Sequence, residues 1–350
     1  MPLLNKKKGG TMKPRFSRIA VVFLVVISLT ALLFSACAAP KPAEVEQLTV
    51  WHSLASVVPW IVADREGFFA EQGLNVDVRP TQEDEPPFLA GKTPISETSS
   101  WEVAEYRLEG EDVVLYGTAG CIRFFNGIAI RPGDTGKYKS VQDMLGKKLG
   151  NPGFGTGTWR AFVGLAKYVW GIEAEKDFEN VTASPGALLG LLDKGEIEGA
   201  LLFSGQTMAA VATGLPLVFR FDEAWEEKTG QPLLITSNVA RASWLKENLD
   251  VARRLQAALD KAIAWMAQYP EQFSIGGRYE MQAGDSGWLK TEESAQLMQK
   301  WLKEGLYYTT SDLYTQAWVD SAHDFNVVVY GQDAPPKGEV FWSPAELKSK

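Results

Sequence analysis

The sequence has few of the residues that bind metals or form disulfides. It contains two cysteines, Cys37 and Cys121, and two histidines, His52 and His323, in 350 residues. No Cys/His cluster has metal-ligand spacing, so the sequence predicts no metal site. The two cysteines could form one disulfide, but Cys37 lies in the export signal described below. We therefore expect Cys121 to be a buried, small apolar residue.

Positive charge is also scarce. The formal net charge is −8, and six of the basic residues lie in the first 36 residues, which contain no acid. The rest of the chain is therefore more acidic still. An acidic body argues against a nucleic-acid partner, although a binding cleft can carry its own local field. The length is sufficient for two ordinary domains with separate cores.

The N-terminal residues have the pattern of an export signal. A positively charged region at 13–18 precedes the apolar run Ile19–Phe34. That run is shorter than the ~20 residues that a membrane span needs. Met1 and Met12 both remain open as the start, because Met12 directly precedes the charged region.

The four residues Phe34–Cys37 resemble a bacterial lipobox, in which the cysteine is diacylated and becomes the new N-terminus. Phe34 departs from that pattern, since leucine is usual there, and an ordinary signal peptide cut near Cys37 is the alternative. The resemblance implies a lipoprotein signal peptide over 1–36, lipidation of Cys37 and a flexible tether over 37–47. It also implies an extracytoplasmic protein that is anchored to the cell membrane by lipid.

The glycine-rich stretch Leu149–Arg160 is the clearest candidate for part of a ligand site. Its glycines let the backbone turn tightly and approach another group. Either Thr156 or Thr158 can cap a helix that the pattern predicts over Ala161–Trp170. The free N–H groups at such a helix start favour an anion or a polar oxygen. The stretch lacks the Gly-Lys-Ser/Thr ending of a P-loop and the spacing of a dinucleotide fingerprint.

The residues after the tether predict a βαβ unit. Leu48–His52 reads as a strand, a helix follows through Trp60–Ala63, and Leu74–Val78 alternates as a second strand after Gly73. Such a unit implies parallel strands and a right-handed crossover.

Short apolar runs and helical spacing continue the pattern along the chain. Further strands are predicted at 112–117, 127–131, 178–182, 195–203, 214–222 and 233–237, and helices at 244–266, 296–306 and 313–325.

Four segments together resemble one family of binding proteins. They are EGFFAEQGLNVDV at 66–78, FLAGK at 88–92, VQDMLGKKLG at 141–150 and LLGLLDKGEIEGALL at 188–202. In this order and spacing they resemble the substrate-binding proteins of ABC transporters from the sulfonate/nitrate/taurine and thiamine-pyrimidine group. The resemblance covers nearly all of residues 47–275.

The resemblance implies an α/β fold of the type II periplasmic-binding-protein class, with two doubly wound lobes joined by two hinge crossovers. Lobe 1 would comprise 48–123 and 228–345, and lobe 2 would comprise 124–227. The ligand of such a protein lies in the cleft between the lobes, beyond the carboxyl ends of the strands. The expected partners are a small molecule, an ABC permease and its ATPase, and we expect a monomer without a cofactor.

Residues that follow the predicted strands are the candidate ligand contacts. They are Ser53, Trp60, Ser99, Ser100, Trp101, Phe124, Gly155, Thr156, Thr158, Trp159, Ser204 and Gln206. Each has a structural alternative: hydroxyls also cap helices, and aromatic residues also pack in cores and hinges. Arg123 and Arg160 could pair with an anionic ligand, but surface salt bridges are the more frequent role of arginine.

The candidate site is richer in aromatic residues than in basic ones. Trp60, Trp101, Trp159 and Phe124 are candidates, whereas no lysine or arginine is clearly placed there. The sequence therefore favours a neutral or weakly charged heteroaromatic or amphipathic ligand over sulfate or nitrate.

Three functions fit these observations. The first is a receptor that captures a small organic solute and delivers it to an ABC permease, without catalysis. The second is an enzyme similar to the pyrimidine synthases of thiamine biosynthesis, which use a lysine-bound pyridoxal phosphate, a histidine and a cysteine-rich iron motif. Only Cys121 is available besides Cys37, which disfavours that reading. The third is a sensor ectodomain that acts through a separate membrane partner.

Overall fold

The computed structural model describes residues 46–82, 84–123, 126–154, 156–202 and 204–348, with the backbone alone described at Pro185 and Ser204. The predicted signal peptide, Cys37 and most of the tether lie outside the described residues, as do Phe124 and Gly155.

The strands and helices alternate along most of the chain. The strands are β1 (Glu46–Ser53), β2 (Leu74–Thr81), β3 (Ile95–Thr98), β4 (Val113–Gly117), β5 (Gly127–Ala129), β6 (Lys148–Asn151), β7 (Glu179–Thr182), β8 (Gly199–Leu202), β9 (Leu217–Arg220) and β10 (Ser237–Arg241).

The first helices are α1 (Val58–Arg65), α2 (Phe68–Glu71), α3 (Glu85–Leu89), α4 (Ser100–Leu108), α5 (Gly157–Trp170), α6 (Ala174–Asp177), α7 (Pro185–Lys194), α8 (Ser204–Ala212) and α9 (Phe221–Thr229). The C-terminal helices are α10 (Ala242–Glu247), α11 (Leu249–Gln268), α12 (Glu280–Asp285), α13 (Glu292–Lys303), α14 (Gln316–Tyr330), α15 (Lys337–Val340) and α16 (Pro344–Lys348).

The predicted βαβ unit is present at the start of the described chain. β1 and β2 pair in parallel, with Glu46 opposite Leu74 and Ser53 opposite Thr81. Alternate residues of β1 are buried, as expected for a strand with one face against the core. The parallel pairing confirms the prediction from the sequence.

A three-stranded sheet follows, in the order β3-β10-β4. The central strand β10 is antiparallel to both neighbours, so the last part of the chain completes a sheet begun by the first part. All four residues of β3 are buried, including Glu97. Burial of a carboxylate is unfavourable unless its charge is paired or neutralised, so the surroundings of Glu97 must do one or the other.

The other large sheet has five strands in the order β7-β6-β8-β5-β9. Neighbouring residues of β8 point to opposite faces: Leu201 packs in the cluster that contains Phe162 of α5, whereas Ala200 and Leu202 pack with Leu188 of α7. Helices therefore cover both faces of this sheet, which confirms a doubly wound α/β arrangement.

Two segments carry the chain between these sheets, and they lie side by side. The chain leaves the three-stranded sheet after β4 and returns to it in β10. Arg123 and Leu234 form an antiparallel bridge, and the Ile235 amide donates to the Ile122 carbonyl at 3.2 Å. We call residues 122–123 and 234–236 the paired crossing segments. The lobe boundaries given above remain predictions.

Several element boundaries differ from the sequence prediction. The return strand is Ser237–Arg241 instead of 233–237, because residues 233–235 run alongside the first crossing. The strand predicted over 127–131 ends at Ala129, and the strand predicted over 214–222 is limited to Leu217–Arg220.

Helix boundaries also differ from the prediction: α13 spans Glu292–Lys303 where 296–306 is predicted, and α14 spans Gln316–Tyr330 where 313–325 is predicted. Helix α5 begins at Gly157, four residues before the predicted start, because the Thr156 hydroxyl caps it there. The predicted helix over 244–266 is divided at Asn248, whose φ of −124° and ψ of 30° are not helical. The Asn248 side-chain amide donates to the Trp244 carbonyl at 2.9 Å and so satisfies one carbonyl at the break.

Within the described part of the chain, we find no helix that combines the length and the apolar character required to cross a membrane.

Candidate functional site

A cavity of about 240 Å³ lies where the carboxyl ends of β1, β3 and β6 approach one another. Its walls combine residues that follow strands of both large sheets with residues of the paired crossing segments. The lining residues are Ser53, Ala55, Ser56, Asp84, Glu85, Glu97, Thr98, Trp101, Glu102, Ile122, Gly157, Thr158, Ile235 and Thr236. This is the position at which open α/β sheets bind ligands.

One wall is the start of α5, at the end of the glycine-rich stretch. The Thr156 hydroxyl accepts a hydrogen bond from the Trp159 amide at 3.3 Å and donates one to the Gly153 carbonyl at 2.8 Å. Gly153 has a φ of 126°, a conformation that L side chains rarely adopt, which explains the glycine. Gly157 and Thr158 form the wall itself. The cap therefore fixes the helix start against the cavity.

The opposite wall carries carboxyl groups. Asp84, Glu85, Glu97 and Glu102 all line the cavity, and none of its described lining residues is lysine or arginine. Burial raises the pKa of Asp84, and burial together with the nearby charge of Glu102 raises the pKa of Glu85. Among the described residues, no three His, Cys, Asp or Glu side chains are grouped so that they could hold a metal ion.

Hydroxyl and amide groups of the protein hold Asp84 and Glu102 in place. Asp84 Oδ2 accepts a hydrogen bond from the Ser96 hydroxyl at 2.8 Å. Glu102 Oε2 accepts from the Ser99 and Thr98 hydroxyls, each at 2.6 Å, and from the Ser99 amide at 3.1 Å. Ser99 and Glu102 thereby form a capping box at the start of α4, which fixes Glu102 in place.

Glu97 lies deepest and contacts a histidine. Its Oε2 atom is 3.5 Å from Nε2 of His52, and neither atom has a hydrogen-bond partner among the described residues. Burial lowers the pKa of His52 to about 3 and raises the pKa of Glu97 well above its ordinary value. Burial therefore favours the neutral form of both side chains.

The remaining wall is apolar. Trp101, Ile122 and Ile235 line the cavity beside the carboxyl groups. Trp101 is almost fully buried, its ring meets that of Phe325 edge to face, and its Nε1 atom has no hydrogen-bond partner among the described residues. The cavity therefore offers an apolar surface next to several hydrogen-bond acceptors, a combination typical of small-molecule sites.

Comparison with known proteins identifies the family. The family model described as NMT1/THI5 like matches residues 55–273, which is more than half of the chain. The chain belongs to the NMT1/THI5-like family. No curated protein matches it.

Solved structures of other proteins share the fold of this chain. The aliphatic sulphonate binding protein SsuA of Escherichia coli aligns with a TM-score of 0.65 and 13% identity, over 87% of this chain and 94% of that one. A putative sulfonate-binding SsuA of Methylobacillus flagellatus aligns at 0.63 and 15%, over 86% and 92%. The desulfurization enzyme DSZB aligns at 0.50 and 15%, over 81% and 92%. These likenesses confirm the predicted periplasmic-binding-protein fold.

Three of the predicted contacts of this NMT1/THI5-like chain lie together at the cavity. They are Ser53, Trp101 and Thr158, and they come from three separate elements. The Thr158 hydroxyl accepts a hydrogen bond from the Asn126 side-chain amide at 3.5 Å. Their roles as ligand contacts remain predictions.

Other predicted contacts lie elsewhere. Trp60 is fully buried against His52 and Phe69, in the core beneath β1. Ser99 caps α4, and the Ser100 carbonyl accepts a hydrogen bond from Asn326. Their contacts are those of helix capping and core packing, the alternatives to ligand contact that the sequence also allows.

The remaining predicted contacts divide into two groups. Thr156 caps α5, Trp159 packs between Phe154 and Phe162, and Gln206 is buried on α8 away from the cavity lining. Phe124 and Gly155 lie outside the described residues, and so does the side chain of Ser204.

Both arginines considered as anion partners form ion pairs with the protein. Arg160 pairs with Glu105, and Arg123 lies 3.7 Å from Glu226. Neither lines the cavity. The described lining of the cavity contains no lysine or arginine.

Sequence reasoning missed the four carboxyl groups. Asp84 and Glu85 belong to an acidic run that reads as a solvated loop, and Glu102 reads as an ordinary helix residue. Glu97 carried no clear signal either, because it stands in the polar segment Ile-Ser-Glu-Thr, whose complete burial is a tertiary feature.

Proposed function

We propose that this protein is an extracytoplasmic solute-binding receptor of an ABC importer. It captures a small organic molecule, such as an aromatic heterocycle or a sulfonate, and delivers it to the permease and its ATPase. Membership of the NMT1/THI5-like family supports this proposal, as do fold neighbours described as periplasmic binding proteins. The observation that carries it is the composition of the cavity, whose walls come from both large sheets.

The position of the paired crossing segments supports a closing motion. Ile122 and Thr236 belong to these segments and also line the cavity. We call the wall that carries Asp84, Glu85, Glu97 and Glu102 the carboxyl wall. A rotation about the crossings would change the distance between this wall and the start of α5. A ligand that contacts both walls stabilises the closed form, which is how a hinge couples binding to shape.

Attachment to the membrane is part of the same proposal. A lipid on Cys37 would hold the receptor beside its permease, through the tether at 37–47. Metabolic labelling with an alkyne fatty acid tests this point in a bacterial host. We expect label on the wild-type chain and none on Cys37→Ser, with Cys121→Ser as the matched control. Labelling that persists in Cys37→Ser would contradict the anchor.

Calorimetry with the purified full-length protein tests the receptor function. The panel should contain sulfonates, nitrate, substituted pyrimidines and organic amines. We expect one compound class to bind at one site per chain, with a change in tryptophan fluorescence because Trp101 lines the cavity. Gel filtration in the same buffer tests whether the protein is a monomer, as we expect. Failure of every class to bind would overturn the proposal.

An enzyme is the second candidate, because DSZB shares the fold. A pyridoxal-phosphate enzyme of the pyrimidine-synthase type needs a lysine at the cofactor. The described lining of the cavity contains carboxyl groups, hydroxyls and apolar residues. Incubation with pyridoxal phosphate distinguishes the two functions: a Schiff-base absorbance band that borohydride traps on one lysine would favour the enzyme.

A further inference from the structure

The carboxyl wall raises the question of what it binds. Four acidic side chains line a cavity of about 240 Å³ without a basic residue among the described lining. Such a group is unfavourable in an empty site, because each buried carboxylate loses hydration and repels the others. A ligand that supplies positive charge removes both penalties.

The capping and hydroxyl contacts of the protein account for only part of this group. Asp84 is bonded to Ser96, and one oxygen of Glu102 is occupied by the capping box. Glu85 is hydrogen-bonded to the Tyr106 side chain and lies 3.3 Å from the Thr98 hydroxyl, which also donates to Glu102. Glu97 is hydrogen-bonded to the Thr236 side chain, and its Oε2 atom is the acceptor that these contacts leave without a partner.

A second, independent feature is the unpartnered oxygen of Glu97. The residue is 5% exposed and lines the cavity, and its Oε2 atom lies 3.5 Å from Nε2 of His52 without a hydrogen-bond partner among the described residues. A buried acceptor left without a donor is destabilising, and such groups are rare in native proteins. An N–H donor on a bound ligand would satisfy it.

The apolar wall limits the kind of cation. Trp101, Ile122 and Ile235 provide a surface that a metal ion could not use. A flat or aliphatic ligand body would instead lie against them, with its cationic end toward the carboxyl groups, and a tryptophan face also attracts cations.

We propose that the cavity selects a small organic cation, an ammonium or amidinium group with N–H donors on an apolar body, and that it rejects sulfonates. The inference rests on the proposed receptor function and narrows its ligand class, from which it excludes the sulfonates named there. Glu97 and Glu85 accept the ligand's N–H groups, and the start of α5 closes over the opposite side. A sulfonate in the same place would face the carboxyl wall with only the α5 backbone as a favourable partner.

Binding of such a cation should release a proton. Burial raises the pKa of Glu97 well above its ordinary value and so favours the protonated carboxyl. A neighbouring cation favours the carboxylate and displaces the proton. The titratable groups that face Glu97 are His52 on β1, Asp84 before α3, Cys121 after β4, and Tyr307 and Tyr308 before α14.

Two series of probes, each with one apolar body and head groups of different charge, test the proposal. The full-length protein is titrated at pH 7 with benzylamine, benzamidine, benzyl alcohol and phenylmethanesulfonate, and with propylamine, propanol and propanesulfonate. We expect the amines and the amidine to bind at least about tenfold more tightly than the alcohols, and the sulfonates not to bind. Calorimetry in buffers of different ionisation enthalpy should show proton release for the cations.

Variants assign the effect to the carboxyl wall. Glu97→Gln keeps the shape of the side chain and resembles its protonated form, so the variant should fold with an unchanged melting temperature. We expect it to lose about tenfold in affinity for benzylamine or benzamidine and to lose proton release. Glu85→Gln should weaken the same cations. Glu247→Gln, at an exposed position on α10, is the matched control and should bind as the wild type does.

The outcomes separate the inference from the receptor function. Binding of sulfonates or neutral compounds in preference to cations would leave the receptor function standing and overturn the cation proposal. Cation binding that neither Glu97→Gln nor Glu85→Gln weakens would also overturn it, as would binding of Ca²⁺ in place of the amines. Failure of the cations and of every compound in the wider panel would overturn both.

Discussion

Gly157, the first residue of α5, stands directly against the Glu102 side chain of α4. A Cβ atom built on Gly157 would lie 3.3 Å from Oε1 of Glu102. Glu102 cannot easily move away, because its other oxygen is held by Ser99 and Thr98. This contact joins the two walls of the cavity, and it shows why a glycine occupies the helix start.

Replacement of Gly157 by alanine should weaken ligand binding without weakening the fold. The added methyl group holds the walls apart, whereas alanine is favourable in a helix. We expect a loss of affinity of about tenfold, equivalent to about 1.4 kcal/mol, for whichever compound binds in calorimetry. Gly186→Ala in the first turn of α7 is the control, since a Cβ atom there meets nothing within 4 Å. Equal affinity in the two variants would show that the walls do not close on the ligand.

The order of strands and helices could be predicted from the sequence because it depends on local patterns. The alternation of apolar and polar residues in β1 and β2 and the capping threonine before α5 are patterns that span only a few neighbouring residues. The start of α5 was still placed too late, because Gly157 has a low helix propensity. The capping threonine, Thr156, indicates the helix start better than helix propensity does.

The composition of the site could not be predicted in the same way. Glu97 and Asp84 lie 13 positions apart, and they meet only because of how β3 and the loop before α3 pack. Trp60 and Trp101 both follow strands at helical spacing, yet Trp60 lies in the core and Trp101 lies at the cavity. Local sequence does not distinguish a core tryptophan from a cavity tryptophan, because the difference is tertiary.

Two serines that look alike in the sequence should behave differently on substitution. Ser99→Ala removes the capping box of α4, and we expect it to lower the free energy of unfolding by about 1 kcal/mol. Ser53→Ala removes a hydroxyl that lines the cavity, and we expect a loss of ligand affinity of about fivefold with little change in stability. Urea denaturation and calorimetry on both variants test this pair. A stability loss confined to Ser53→Ala would contradict the assignment.

The packing of α5 against α14 predicts a further stability effect. A Cβ atom on Gly164 would meet the Phe325 ring and would lie 2.8 Å from Cγ2 of Val329. We expect Gly164→Ala to lower the free energy of unfolding by about 1–3 kcal/mol through overpacking, despite the better helix propensity of alanine. Gly190→Ala on α7, where the space is open, should instead raise it by up to about 1 kcal/mol. Denaturant titrations that give the same sign for both variants would contradict the packing.

His52 should make the protein less stable as the pH falls. Burial lowers the pKa of His52 from 6.5 to about 3, so its contribution is complete above pH 6.5 and is lost as the pH falls toward 3. The raised pKa values of Asp84, Glu85 and Glu97 act in the opposite direction, since their contribution is complete below the ordinary carboxyl range and is lost as the pH rises.

A difference measurement isolates the histidine from these carboxyl groups. The free energy of unfolding is measured between pH 4.5 and 8 for Glu97→Gln and for the double variant His52→Gln/Glu97→Gln. The Glu97→Gln background removes the carboxyl that contacts the ring. Below pH 6.5 the two curves should converge with a slope of up to about 1.4 kcal/mol per pH unit. Parallel curves would mean that His52 takes up its proton in the folded protein as readily as in the unfolded chain, which would contradict the lowered pKa.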